Sequence, residues 1–107
     1  MSVVHRTHFL KSWTVHFEAG LDGRKPWEAR IDDRGFQQGD AVVLCEWNPS
    51  TKAFTGRSSS GLIGYLFRGQ YGFPSDWVVF TVDALTPCQR MLPEQMGTLY
   101  VACLRAE

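Results

Sequence analysis

Four residues, Gly23, Lys25, Glu28 and Arg30, form the pattern G-x-K-x-x-E-x-R inside the stretch GRKPWEARIDDRGFQQGD. A lysine, a carboxylate and an arginine this close together have three possible uses. They can neutralise one another on the surface, where an ion pair is worth roughly 0–1 kcal/mol. They can read a ligand: a carboxylate accepts from the N–H groups of a base edge, as it does from cytosine. Arg30 would then hold a phosphate or carbonyl oxygens with its two-pronged guanidinium, or act as a partner that fixes Glu28. They can also do acid–base chemistry, if burial beside each other shifts the protonation of Lys25 and Glu28. Lys25 precedes the strand expected after Pro26, so strand parity does not orient it. The Asp22-Gly23 turn can aim it, and a lysine so placed binds phosphate as a point charge.

Further candidates lie around this motif. Arg34 stands in Asp33-Arg34-Gly35, otherwise a turn, and Gly39-Asp40 also reads as turn chemistry. His8 and Lys11 flank the start of the expected helix. Arg57, Arg68 and Tyr71 fall in expected loops, which carry function more often than cores do. Tyr71 and Phe73 can stack on an unpaired base or close the end of a barrel.

The elements that must position these residues are short. The spacing of Trp13, Phe17 and Leu21 predicts a helix over Lys11–Leu21, capped by Ser12 and ended near Gly23, with Trp13 and Phe17 in the core. After Pro26 the period becomes two. Trp27, Ala29 and Ile31 are expected on the core face, and Glu28, Arg30 and Asp32 on the other. Ala41–Trp47, Ala53–Gly56, Leu62–Phe67 and Trp77–Val82 read as further strands, and Thr98–Leu104 as a closing one. Ser58-Ser59-Ser60-Gly61 reads as a polar loop, and Arg68–Pro74 as irregular. One early helix and five or six short, mostly antiparallel strands predict an α+β fold, a small barrel with the helix packed at its end.

The 107 residues predict a single domain, 1–107, large enough for a hydrophobic core. No apolar run approaches a membrane span, and the N-terminus lacks the pattern of a signal peptide, so a cytoplasmic location is expected. Cys45, Cys88 and Cys103 are widely spaced without C-x-x-C. They predict reduced thiols and neither a metal site nor a cofactor. The formal net charge is zero, which argues against strong non-specific nucleic-acid binding and leaves room for a local basic pocket.

In order, the chain carries HFLKSW at 8–13, Phe17, GRKPWEAR at 23–30, DRGFQQGD at 33–40, CEWNP at 45–49 and FTGR at 54–57. Together these resemble the ASCH domain family of the PUA-like superfamily, and within it a branch of short bacterial and phage proteins of unknown function. The resemblance covers roughly residues 5–83. It implies a pseudo-barrel with a cleft beside the first helix, lined by the motif residues. It also implies RNA or a modified nucleotide or nucleoside as partner. Some small ASCH-like enzymes that deacylate modified cytidine use a Lys and, three residues on, a Thr. Here Lys25 matches and Glu28 replaces the Thr, which puts that mechanism in doubt. Two alternatives stand beside an RNA- or nucleotide-binding module. One is a nucleic-acid-processing enzyme, either a ribonuclease or a nucleoside amidohydrolase using Lys25 and Glu28. The other is a protein-interaction module.

Overall fold

A computed structural model describes residues 5–88 of the chain. Five strands and one helix follow in the order β1 (Thr7–Trp13), α1 (Thr14–Leu21), β2 (Trp27–Ile31), β3 (Ala41–Asn48), β4 (Ala53–Arg68) and β5 (Trp77–Pro87). They build one curled mixed sheet in the spatial order β1-β3-β4-β5-β2. The β1–β3 pair is parallel and the other three pairings are antiparallel. The result is a half-barrel with one short helix, an α+β fold. The expected closing strand Thr98–Leu104, Pro93 and Cys103 lie outside the described residues.

The core is the concave side of this sheet. Leu10, Phe36, Val42, Leu44, Ile63, Val78, Phe80 and Val82 are buried there, and α1 adds Phe17. Leu21 and Leu85 pack against the cluster from its margin.

Several expectations need correction. The helix begins at Thr14 and not at Lys11, because residues 7–13 form β1. Along β1 burial alternates, with His8, Leu10 and Ser12 inward. Two of those three inward residues are polar, so the period-two signal is masked and the i, i+4 spacing of Trp13 and Phe17 reads as helix instead. Ser12 is therefore a buried strand residue. The helix is preceded by Trp13 with no side-chain cap. Trp13 is 51% exposed, not core.

On β2 the faces are exchanged. Glu28 is 5% exposed, while Trp27 and Ile31 are 46% and 53% exposed. The two short strands expected at Ala53–Gly56 and Leu62–Phe67 are one sixteen-residue strand, and the serine run lies within it with Ser58 and Ser59 buried. Breaks in register between Ser60 and Leu62 and between Ile63 and Leu66 bend β4 as it crosses β5. The 69–76 connection is irregular, as its glycines and proline predict.

Cys45 is buried, Cys88 is half-buried, and both are unbridged. Among the described residues no helix is long and apolar enough to cross a membrane. Nor does any group of three His, Cys, Asp or Glu come together among them as metal ligands would.

Candidate functional site

Curling brings the two edge strands, β1 and β2, to face each other across an open seam. The cleft between them has a volume of about 1060 Å³. Lys11, Ser12, Trp13 and the helix residue His16 form one wall. Lys25, Trp27, Glu28, Arg30 and Ile31 form the other. Buried Leu10 and Phe36 close the base, and Asp33, Arg34 and Trp77 stand at the far end.

The chain puts Lys25 there by folding back on the helix. Asp22 N–H donates to Glu18 O at 3.0 Å and Lys25 N–H to Ala19 O at 3.0 Å. Between them Gly23 takes φ = +84°, a conformation costly for residues with a side chain. Val82 N–H then donates to Pro26 O at 3.0 Å, which ties the start of β2 to β5. Glu28 sits opposite Phe80 in that register, so its side chain enters the concave side of the sheet.

Two cations flank the Glu28 carboxylate. Lys25 Nζ donates to Oε1 at 2.9 Å, and Arg30 Nε lies 3.4 Å from Oε2. A buried carboxylate requires such pairing, because an unpaired charge there would cost several kcal/mol. Arg30 Nη2 also donates across the seam to Lys11 O at 2.6 Å. Arg34 Nη1 does the same to Phe9 O at 2.8 Å. Among the described residues no strand pairs with this edge of β1, and the two arginines bridge from its carbonyls across the seam. Arg30 Nε, although buried, has no hydrogen-bond partner.

Aromatic faces surround these charges. Lys25 Nζ lies 5.0 Å from the Trp27 ring centre, and Arg34 lies 6.0 Å from Phe36. Trp13, Trp27 and Trp77 all line the cleft. None of the three stands out from the sequence as a site residue, because alternation assigns Trp27 to the core and helical spacing does the same for Trp13. The available signal was compositional: a tryptophan directly precedes the motif glutamate.

Of the candidate residues, the structure brings Lys11, Lys25, Glu28, Arg30 and Arg34 to the cleft and leaves four elsewhere. His8 is buried, with Nε2 2.7 Å from Asp40 Oδ2 and its ring against Phe36. Arg57 lies on the strand β4, not in a loop. It binds the buried Glu46 at 2.9 Å and also reaches Glu18. The Arg57 hydrogen bonds hold the Glu46 carboxyl below the usual range against the opposing effect of burial. Arg68 closes β4 and braces Asp32 and the Phe36 carbonyl. Tyr71 is 80% exposed on the 69–76 loop, edge-on to Phe67.

The sequence profile of a domain of unknown function, DUF3850, matches residues 7–82. The chain belongs to this family. The DUF3850 match runs from the first residue of β1 to Val82 on β5, so it takes in both walls of the cleft. An uncharacterized 12.9 kDa protein in the GpA 3' region of Escherichia phage P2 is 36% identical to this DUF3850 chain over 52 residues. The aligned stretch is 49% of this chain and 46% of the phage protein, so the chain spans about half the length of the curated relative it matches.

Proposed function

We propose that the cleft binds RNA or a modified nucleotide, taking one unpaired nucleotide into the seam between β1 and β2. One observation carries this: a buried, hydrogen-bonded carboxylate held between two cations in a cleft with tryptophan walls. The tryptophans offer flat faces for a base, the Lys25–Glu28–Arg30 group offers an edge to pair with, and the cations suit a phosphate. The resemblance of the motif residues to ASCH domains, and through them to PUA-like RNA-binding modules, supports the same reading.

The test is a titration of short single-stranded RNAs and free nucleosides, followed by the fluorescence of the cleft tryptophans. Trp27→Ala should weaken binding about tenfold or more, since stacking one base on an aromatic ring is worth roughly 1–3 kcal/mol. Glu28→Ala and Arg30→Ala should also weaken it, with urea midpoints confirming that each variant is folded. Wild-type affinity in both charge variants would remove the cleft from consideration.

One contact favours a second reading. Lys25 Nζ and Glu28 Oε1 are 2.9 Å apart, in hydrogen-bond reach for proton transfer, and His16 lines the same cleft. A ribonuclease or nucleoside amidohydrolase would use that pair. Incubation with RNA and acylated nucleosides should then give product that Lys25→Ala abolishes, and absence of product across pH counts against it.

A further inference from the structure

We infer that the Lys25–Glu28–Arg30 group selects the imide edge of uracil or thymine over the edges of the other bases. This inference rests on the nucleotide-binding reading above and names the base.

The order of the charged groups in space is fixed by their contacts. Lys25 Nζ lies against one oxygen of Glu28 and Arg30 Nε against the other. The site therefore presents donor, acceptor, donor in sequence. Each member has capacity left. An ammonium has three donors and a guanidinium five, while a carboxylate has about four acceptor positions. Lys25 spends one donor on Glu28, and Arg30 spends one on Lys11 O. Arg30 Nε is buried against Glu28 with no hydrogen-bond partner, so a ligand in the cleft would meet this guanidinium through its Nη groups.

A ligand edge complementary to donor–acceptor–donor must read acceptor–donor–acceptor. Uracil and thymine present this as O4, N3–H and O2, and the pattern is the same in either direction. Guanine presents O6, N1–H and the N2 amino group, so whichever way it enters it matches Glu28 and one cation but sets its amino group against the other. Cytosine, with N4 amino, N3 and O2, opposes like to like at two positions whichever way it enters. Adenine sets its amino group and N1 against a donor and an acceptor in the same way. Mismatches of this kind leave buried polar groups unpaired, and that penalty generates the discrimination. The expected order of affinity is uracil first, guanine second, and cytosine and adenine last.

Charge adds a preference for the nucleotide over the nucleoside. Among the described residues, Lys25, Arg30 and Arg34 line the cleft against the carboxylates of Glu28 and Asp33, while the Lys11 ammonium lies over the Trp47 ring, 4.1 Å from its centre. A phosphate on the ligand meets that excess.

The experiment titrates the intact protein with UMP, GMP, CMP, AMP and N3-methyl-UMP, reading tryptophan fluorescence. Mononucleotides are used because single strands differ in their own stacking. UMP should bind tightest, and uridine, titrated beside the five nucleotides, should bind more weakly than UMP. N3-methylation removes the donor facing Glu28 and should cost about tenfold or more, as loss of a base-edge hydrogen bond does. This comparison changes only the ligand, so it does not depend on any variant folding. In Arg30→Met, the gap between UMP and GMP should narrow. CMP or AMP binding as tightly as UMP, or N3-methyl-UMP binding unimpaired, overturns the inference while leaving nucleotide binding in place. No binding by any of the five removes the inference and the nucleotide reading together.

Discussion

Asp40 shows how a polar side chain can serve the interior of this fold. It is buried, and its carboxylate accepts from Arg6 N–H at 3.0 Å, Gln37 N–H at 3.1 Å and the His8 ring at 2.7 Å. Burial alone would raise its pKa, but the hydrogen bonds from Arg6, His8 and Gln37 outweigh that and lower it. The folded value thus lies below the ordinary 3.8. A depressed carboxyl contributes stability that is present above the unfolded pKa and lost as pH falls through the folded one. Asp40→Asn should therefore cost about 1–3 kcal/mol at neutral pH, by leaving buried donors poorly matched. It should also flatten the acid side of the stability profile. Glu46 and Asp32, whose pKa values are also lowered, keep the slope from vanishing. Urea unfolding from about pH 7 down to about pH 2 measures both effects, and an unchanged acid slope would contradict this role.

At the scale of the element, β4 decides the curvature that opens the cleft. It pairs with β3 on one side and β5 on the other, and its register with β5 breaks around Gly61. A Cβ at Gly61 would lie 2.7 Å from Val82 Cγ1 and 2.8 Å from the Asp83 carbonyl oxygen. The second neighbour is backbone and cannot swing away. Gly61→Ala should accordingly cost about 2–3 kcal/mol by overpacking, read as a lower urea midpoint. Gly72→Ala is the contrasting change. Nothing lies within 4 Å of its added Cβ, and only the φ of +86° opposes it. Its cost should be about 1 kcal/mol. Equal effects at the two positions would mean that strand crowding is not what Gly61 relieves.

At the scale of the whole molecule, charge is balanced overall and uneven in place. The chain is formally neutral, yet among the described residues Lys25, Arg30 and Arg34 face only Glu28 and Asp33 in the cleft. A ligand strand should be gripped at one or two phosphates, without a long basic track. For single strands the affinity then falls with log salt at a slope of about −0.7 per phosphate neutralised, giving about −0.7 to −1.4. A titration of a short single-stranded RNA between low and moderate salt measures this slope. A slope of about −4 or steeper would place binding on a larger basic surface than the cleft provides.

The amino-acid sequence by itself determined the α+β class, most strand positions and the grouping of Lys25, Glu28 and Arg30, because turn residues and apolar runs are local signals. Ala41–Asn48 and the 69–76 connection were legible for that reason. Which way residues face was not. Alternation assigns apolar side chains to the interior, but here His8, Ser12, Glu28, Asp40, Glu46, Ser58 and Ser59 are buried while Trp13, Trp27 and Ile31 are exposed. Some of these buried groups are satisfied by partners distant in sequence, Glu46 by Arg57 and His8 by Asp40. No window of a few residues contains those partners. So the end of β1, Lys11–Trp13, read as helix, the serine run of β4 read as a loop, and Trp13 and Trp27 read as core. Only the tertiary structure decided that two sheet edges meet, that Arg30 and Arg34 bridge them, and that the aromatic faces surround the motif carboxylate. The seam is a long-range product of sheet curvature, and curvature is set by pairings between residues far apart in the chain.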